Sequence, residues 1–259
     1  MTDAVFLQGP SGFEPSEHAT GPWDRQAMHG GAPAALMARA VEALDGPPDA
    51  IVTRFTVDFA GPVPMRTLAV QTRVVRPGKR VQVVEADLRS GDDVLGRARA
   101  LRIRTASVDV PATAQDEPPP PPDGGRPGRF DSARDPGGFV RAMDVRYIEG
   151  AWEPGPATVW LRLTVPLVDG EEPSPLQRVV AAADFANGVG APLPFVGYLF
   201  INPDLDVHLH RPLEGEWVCL ESRCTAGRNG VGQSDARLYD TRGPIGRTVQ
   251  SLYVDTMDG

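Results

Sequence analysis

The sequence predicts an α+β protein made of two copies of one unit, each an antiparallel β-sheet wrapped around a central α-helix. Three observations carry this prediction: an internal repeat at an offset of 150 residues, the same order of one small-residue helix and several strands in each copy, and one proline- and glycine-rich break between them.

At that offset "IVTRFTVDFAGPVP" falls on "INPDLDVHLHRPLE", and "VEADLRSGDDVLGRARALRI" falls on "SDARLYDTRGPIGRTVQSLY", with no gap. Ile51 matches Ile201, Val57 matches Val207, Pro62 matches Pro212, Leu88 matches Leu238, and Gly96 matches Gly246. Identity is low, so the reading rests on the shared register of apolar positions and turns.

In the first half the helix is "GGAPAALMARAVEAL". The strands that follow, "IVTRFTVDFA", "TLAVQTRVVR", "RVQVVEADLRS" and "VLGRARALRIRT", have alternating or β-branched character. The break is "ATAQDEPPPPPDGGRPGRFDSARDPGG", which divides the chain into 1–111, a linker 112–138, and 139–259. Its proline run favours an extended, semi-rigid path, or alternatively a ligand for a proline-recognising partner. In the second half "ATVWLRLTV" is an extra strand ahead of the helix "SPLQRVVAAADFANG". Ser174 suits the N-cap, Pro175 the first helical position, Gln177 a capping box, and Gly188 the stop. The strands "DLDVHLHRP", "EWVCLESRCTA", "VGQSDARLYD" and "GRTVQSLYV" close the chain. Turn signals such as "PGK", "SGDD", "GRNG" and "DTRG" imply an antiparallel meander. One long helix against one such sheet is a hotdog fold, so the whole is a double hotdog.

Composition narrows the function. With 259 residues and a formal net charge of −8, the chain is a poor partner for nucleic acid or anionic membrane, although a local basic site for an anionic ligand is compatible with it. No stretch approaches a membrane span, and the start "MTDAVFLQGPSGFEP" lacks the pattern of a secretion signal, so a cytoplasmic protein is expected. Cys219 and Cys224, five apart, point to opposite faces of a strand and suit neither a disulfide nor a zinc site. His208 and His210 share one strand face without an evident third ligand. No cofactor and no metal are expected.

The repeat allows an internal comparison, because positions serving only the fold should look alike in both copies. Three do not: Asp184 faces Ala34, Asn202 faces Val52, and Gln250 faces Ala100. Burying an acid and two amides without partners costs several kcal/mol, so they are expected to satisfy one another or a ligand. The structural alternatives are that Asp184 turns to solvent or bonds Asn187, that Asn202 serves the turn before Pro203, and that Gln250 lies on an exposed face.

The helix with "ADF", the strand ending "HLHRP" with Asn202 ahead of it, the closing "GRTVQSLYV" and the paired glycines of "MHGGAPAALMARA" together resemble the acyl-CoA thioesterase II (TesB-like) double-hotdog family. The resemblance implies hydrolysis of an acyl-CoA, with Asp184, Asn202 and Gln250 in the positions that bind and activate the hydrolytic water. Asn202 departs from the hydroxyl residue of many relatives, and Ala32 from the glutamine that some of them carry after the glycines.

Such chemistry needs an activated water and donors for the developing oxyanion. Asp184 as general base supplies the first. His29, Gly30 and Gly31, at a helix N-terminus where backbone N–H groups are free, are candidates for the second and for substrate binding. His29 could equally bind a phosphate or cap the helix, and direct attack by the Asp184 carboxylate stays open. Two alternatives stand beside hydrolysis: an enoyl-CoA hydratase, from the D-x4-H spacing of Asp24 and His29, and an acyl-CoA-binding protein without turnover. Exposed sheet edges leave room for a homo-oligomer.

Overall fold

The computed structural model describes residues 3–111, 117–128 and 138–257. The first half holds a hairpin, β1 (Phe6–Gly9) and β2 (Gly12–Pro15), then α1 (Gly31–Ala43), β3 (Ala50–Phe59), β4 (Ala69–Arg76), β5 (Val81–Ser90) and β6 (Asp93–Arg104). Next come β7 (Arg126–Pro127), β8 (Met143–Glu149), β9 (Ala157–Leu163), α2 (Pro175–Ala183) and the one-turn α3 (Ala186–Val189). The chain finishes with β10 (Tyr198–Ile201), β11 (Asp204–Leu209), β12 (Val218–Ala226), β13 (Val231–Asp240) and β14 (Gly243–Thr256).

Apart from the β1–β2 hairpin, these strands form one sheet in the order β4, β5, β6, β3, β11, β14, β13, β12, β9, β8, β7, with β10 also paired to β14. The two halves meet at β3 and β11, where the repeat folds onto itself. Thr56 lies opposite Asp206, its own partner at the offset of 150, while Val57 lies opposite Leu205 and Phe55 opposite Val207. A local twofold therefore passes between these strands, and the Thr56 hydroxyl donates to the Asp206 carboxylate across it. Even the bulges match, between Leu88 and Arg89 and between Leu238 and Tyr239.

The expected meander holds for β4–β5–β6 and β12–β13–β14, each joined by tight turns. It fails for β3, which pairs with β6 and β11 rather than with β4. The segment after β3 is a longer connection with Pro62 and Pro64, which lets β4 start at the far edge.

Both helices lie on the inner side of the sheet, side by side and antiparallel. The start of α1 packs on the end of α2, where a Cβ at Gly31 would stand 2.8 Å from the Ala181 carbonyl. The end of α1 meets the start of α2, where the Ser174 hydroxyl donates to Glu42 at 2.6 Å. Small residues (Ala32, Ala34, Ala35, Ala38 in α1; Ala181, Ala182, Ala183 in α2) are buried and keep the helices close to the strands. Burial on nearly all sides explains why α1 is apolar almost all round.

Three local expectations change. Ser174 caps α2 and accepts from the Gln177 N–H at 3.2 Å, but the Gln177 side chain turns to Glu42 instead of completing a capping box. The helix does not run unbroken to Gly188. It ends at Ala183 with Asp184 as C-cap and resumes as α3, the Phe185 N–H reaching Ala182 rather than a carbonyl four residues back. The part of the linker that is described does more than span: β7 pairs with β8, Pro122 is buried, and the Pro120 carbonyl accepts from the Trp160 indole at 2.8 Å. Prolines suit such an outer edge because no further strand needs their missing N–H. Residues 112–116 and 129–137 of that linker lie outside the described residues.

Candidate active site

Asp184 sits where the end of α2 meets the start of α1, and its side chain is 3% exposed. Glycine makes this approach feasible: a Cβ at Gly30 would stand 2.9 Å from Asp184 Oδ2. The carboxylate thus faces the N-terminal turn of the other half's helix, where backbone N–H groups and the helix dipole favour negative charge.

Its partners come from three segments. The Asn202 amide, in the break between β10 and β11, donates to Asp184 Oδ1 at 2.8 Å. Gln250 on β14 donates to the same oxygen at 3.4 Å. His29, just ahead of α1, brings Nδ1 within 2.9 Å of Oδ2, and the Gly31 backbone nitrogen lies 3.2 Å from the same ring nitrogen. The imidazole lies stacked on Phe185 at 4.3 Å, which holds the ring in place.

Asn187, which also lines the cavity, closes the network. Its side-chain amide donates to Asn202 Oδ1 at 3.1 Å, and its backbone N–H donates to Gln250 Oε1 at 3.1 Å. Asp184, Asn202, Asn187 and Gln250 are thereby joined in a ring of four hydrogen bonds that leaves each amide one orientation. Asn202 also donates to the Asp204 carbonyl at 2.9 Å, so both of its N–H groups are engaged.

The sequence placed Asp184, Asn202, Gln250, His29 and Gly30 at one site, and the fold brings them together. They differ in access. His29, Gly30, Asp184 and Asn202 line a cavity of about 550 Å³, whereas Gln250 is fully buried behind the carboxylate. Gly31 lies just inside the helix, against Phe139 and the Ala181 carbonyl. Asn187, expected at most as a bond to Asp184, instead ties the two amides together. The expected pairing of Asp184 with Ala34 is corrected. Ala34 lies in the first turn of α1 and Asp184 past the last turn of α2, because the gapless register holds for the strands and not for the helices.

The cavity is walled by both halves: Trp23, Met28 and Phe59 from the first, Trp152, Phe195 and Phe200 from the second. Trp152 stacks on Phe195 at 4.2 Å, and Phe195 and Trp23 both contact Phe200, at 5.0 and 5.3 Å. This aromatic wall went unread in the sequence because its rings come from four separate segments. Asp24 also lines the cavity, but its carboxylate accepts from the Gln26 N–H at 2.8 Å within a turn. His208 and His210 are exposed, and among the described residues no three metal-ligating side chains gather. Cys219 and Cys224 are free thiols, opposite Tyr239 and Ser234 in the β12–β13 ladder. No helix among the described residues is long and apolar enough to cross a membrane.

The chain matches family models at both ends. Residues 19–103 match an acyl-CoA thioesterase N-terminal domain, and residues 111–254 match an acyl-CoA thioesterase C-terminal domain. No curated protein sequence matches it. Among solved structures, a protein of Thermobifida fusca assigned as a thioesterase II is similar with a TM-score of 0.74 at 17% identity, over 98% of this chain and 96% of that one. A hot dog protein of unknown function from Alicyclobacillus acidocaldarius has a TM-score of 0.71 at 18% identity, over 90% and 89%. The acyl-CoA thioesterase II TesB2 of Mycobacterium marinum has 0.65 at 16%, over 90% and 91%. At these identities the solved structures establish the double-hotdog fold.

Proposed function

The chain belongs to the acyl-CoA thioesterase family and is a thioester hydrolase; on that premise we propose that it hydrolyses a fatty acyl-CoA or a related acyl thioester, with the Asp184 carboxylate activating the water. The observation that carries this reading is a buried carboxylate, fixed by two amides and an imidazole, at the wall of an apolar cavity that both halves build.

In this reading the acyl chain lies along the aromatic wall and the thioester carbon stands before Asp184. A water bound at Oδ2, beside His29, loses its proton to the carboxylate as it attacks, a general-base contribution of roughly 10² to 10⁴ in rate. The carbonyl oxygen gains negative charge and is met at the start of α1, where the Gly30 N–H has no partner among the described residues. The thiolate of coenzyme A leaves and takes up the proton. Asn202 and Gln250 act by holding Asp184 Oδ1, which turns Oδ2 to the cavity. That role needs amide donors and no hydroxyl relay, consistent with Asn202 where many relatives carry Ser or Thr.

A panel of acyl-CoAs of different chain lengths, with thiol release as the readout, tests the proposal. Hydrolysis of at least one chain length is expected. Folded protein that releases no thiol from any of them would refute it.

A further inference from the structure

We propose that the first half keeps a second acyl-binding cavity, which takes the acyl group of the same class of thioester without hydrolysing it; this rests on the acyl-CoA reading of the first cavity. The cavity, of about 410 Å³, lies at the other helix junction, between the end of α1 and the start of α2.

Its strand and loop walls are the repeat partners of the walls of the first cavity. Ala50, Ile51 and Val52 stand where the first cavity has Phe200, Ile201 and Asn202, while Leu209, Pro212 and Leu213 stand where it has Phe59, Pro62 and Val63. The local twofold between β3 and β11 thus carries one cavity onto the other. The helices exchange roles in the same way. One cavity lies between the start of α1 and the acid that follows α2, the other between the start of α2 and an acid near the end of α1, Glu42.

The chemistry of the second cavity suits an acyl group and not a phosphate. Most of its lining residues are aliphatic, Leu44, Leu176 and Leu209 among them, while Glu42 and Arg102 make part of the wall polar. The one guanidinium on its wall, Arg102, spends its N–H groups on the carbonyls of Val41, Leu44 and Asp45 and on Gln82. Glu42 supplies the polar end: Oε2 accepts from Ser174 at 2.6 Å and from Gln177 at 3.2 Å, which leaves Oε1 to accept an amide N–H such as those of the pantetheine arm. Hydrolysis is not expected, because Val52 replaces the amide of Asn202 and Ala100 that of Gln250, so the two amides that hold the Asp184 carboxylate have no counterpart at this cavity.

Calorimetric titration of the full chain with S-decyl-coenzyme A, a thioether that cannot be hydrolysed, reads the number of sites. Two molecules per chain are expected for the wild type and one for Ala50→Trp, a substitution at a position whose repeat partner is Phe200. Val52→Trp, on the same wall, is expected to give one as well and serves if Ala50→Trp does not fold. One molecule per chain in the wild type, or two in a folded tryptophan variant, would overturn the second cavity while leaving the hydrolase reading intact. Folded wild type that binds none would overturn both.

Discussion

The two halves of the molecule share the register of their long strands and part company where a helix hands over to the sheet. In the first half residues 44–49 make that connection; in the second it takes residues 184–197, which add α3 and a loop. The longer segment supplies Asn187 to the hydrogen-bonded ring and Phe195 to the aromatic wall. The inner faces of the sheet differ in the same direction: Ser234, Thr248 and Gln250 are buried where the first half buries Val84, Ala98 and Ala100. A repeated frame can therefore hold an apolar interior in one copy and a polar, oriented one in the other. The chemistry proposed for this chain uses residues at which the copies diverge.

The largest test of that contrast removes the acid. Asp184→Asn should lower kcat by about 10² or more, since the general base is lost while the amide still fits the ring. Unchanged turnover in acyl-CoA assays would move the base elsewhere. Next comes the close approach of the two halves. Gly30→Ala places a methyl group 2.9 Å from Asp184 Oδ2, so the carboxylate must shift, and about a tenfold to hundredfold loss of kcat is expected in a protein that still folds. Steady-state kinetics beside a thermal melt separate this from unfolding.

Making the second half resemble the first sharpens the comparison. Asn202→Val leaves both Asp184 Oδ1 and the Asn187 amide short of a partner and should cost about 1–3 kcal/mol of stability, read from denaturant curves. Gln250→Ala acts from behind the carboxylate, away from the cavity, and should lower kcat by about tenfold with KM little changed. A rise in KM alone would show that Gln250 touches substrate.

The smallest effect on turnover is expected at a pair that also belongs to one half only. Asp240 is fully buried and bonded twice by Arg211, at 2.7 Å and closer, where the repeat has Ser90 and Gly61. Burial by itself would raise its pKa, but Arg211 together with the N–H groups of Glu214 and Arg242 holds it below the ordinary range. A depressed folded-state pKa contributes stability at pH values above the unfolded carboxylate range, and that contribution is lost as pH falls through the folded value. Asp240→Asn should therefore lower stability by about 3 kcal/mol near pH 7, with the gap from the wild type narrowing below about pH 4. Melts across pH check this, and a gap that does not change with pH would mean that the pair contributes no linked stability.

Much of the frame was legible in the sequence. Strand alternation and turn residues are local signals, and the offset of 150 matched them in pairs; the fold then sets Thr56 opposite its repeat partner Asp206 on the twofold. The start of α2 was legible for the same reason, because a cap depends on Ser174, Pro175 and the next turn alone. Comparing the copies singled out Asn202 and Gln250 at truly matched positions, since both lie within the strand register. It reached Asp184 through a wrong partner, because that register does not extend to the helices.

By itself, then, the sequence determined two hotdog units, their strands and turns, and a short set of polar residues out of keeping with a packed interior. Tertiary structure decided which helix ends meet, that Asp184 of one half rests on Gly30 of the other, that Asn187 closes the ring, and that Gln250 holds the carboxylate from the side away from the cavity. It also showed that the first half has an acid of its own at the matching junction, Glu42. The physical reason is range. Periodicity and capping are written in neighbouring residues, whereas the packing of two antiparallel helices on one sheet depends on contacts between residues more than a hundred positions apart.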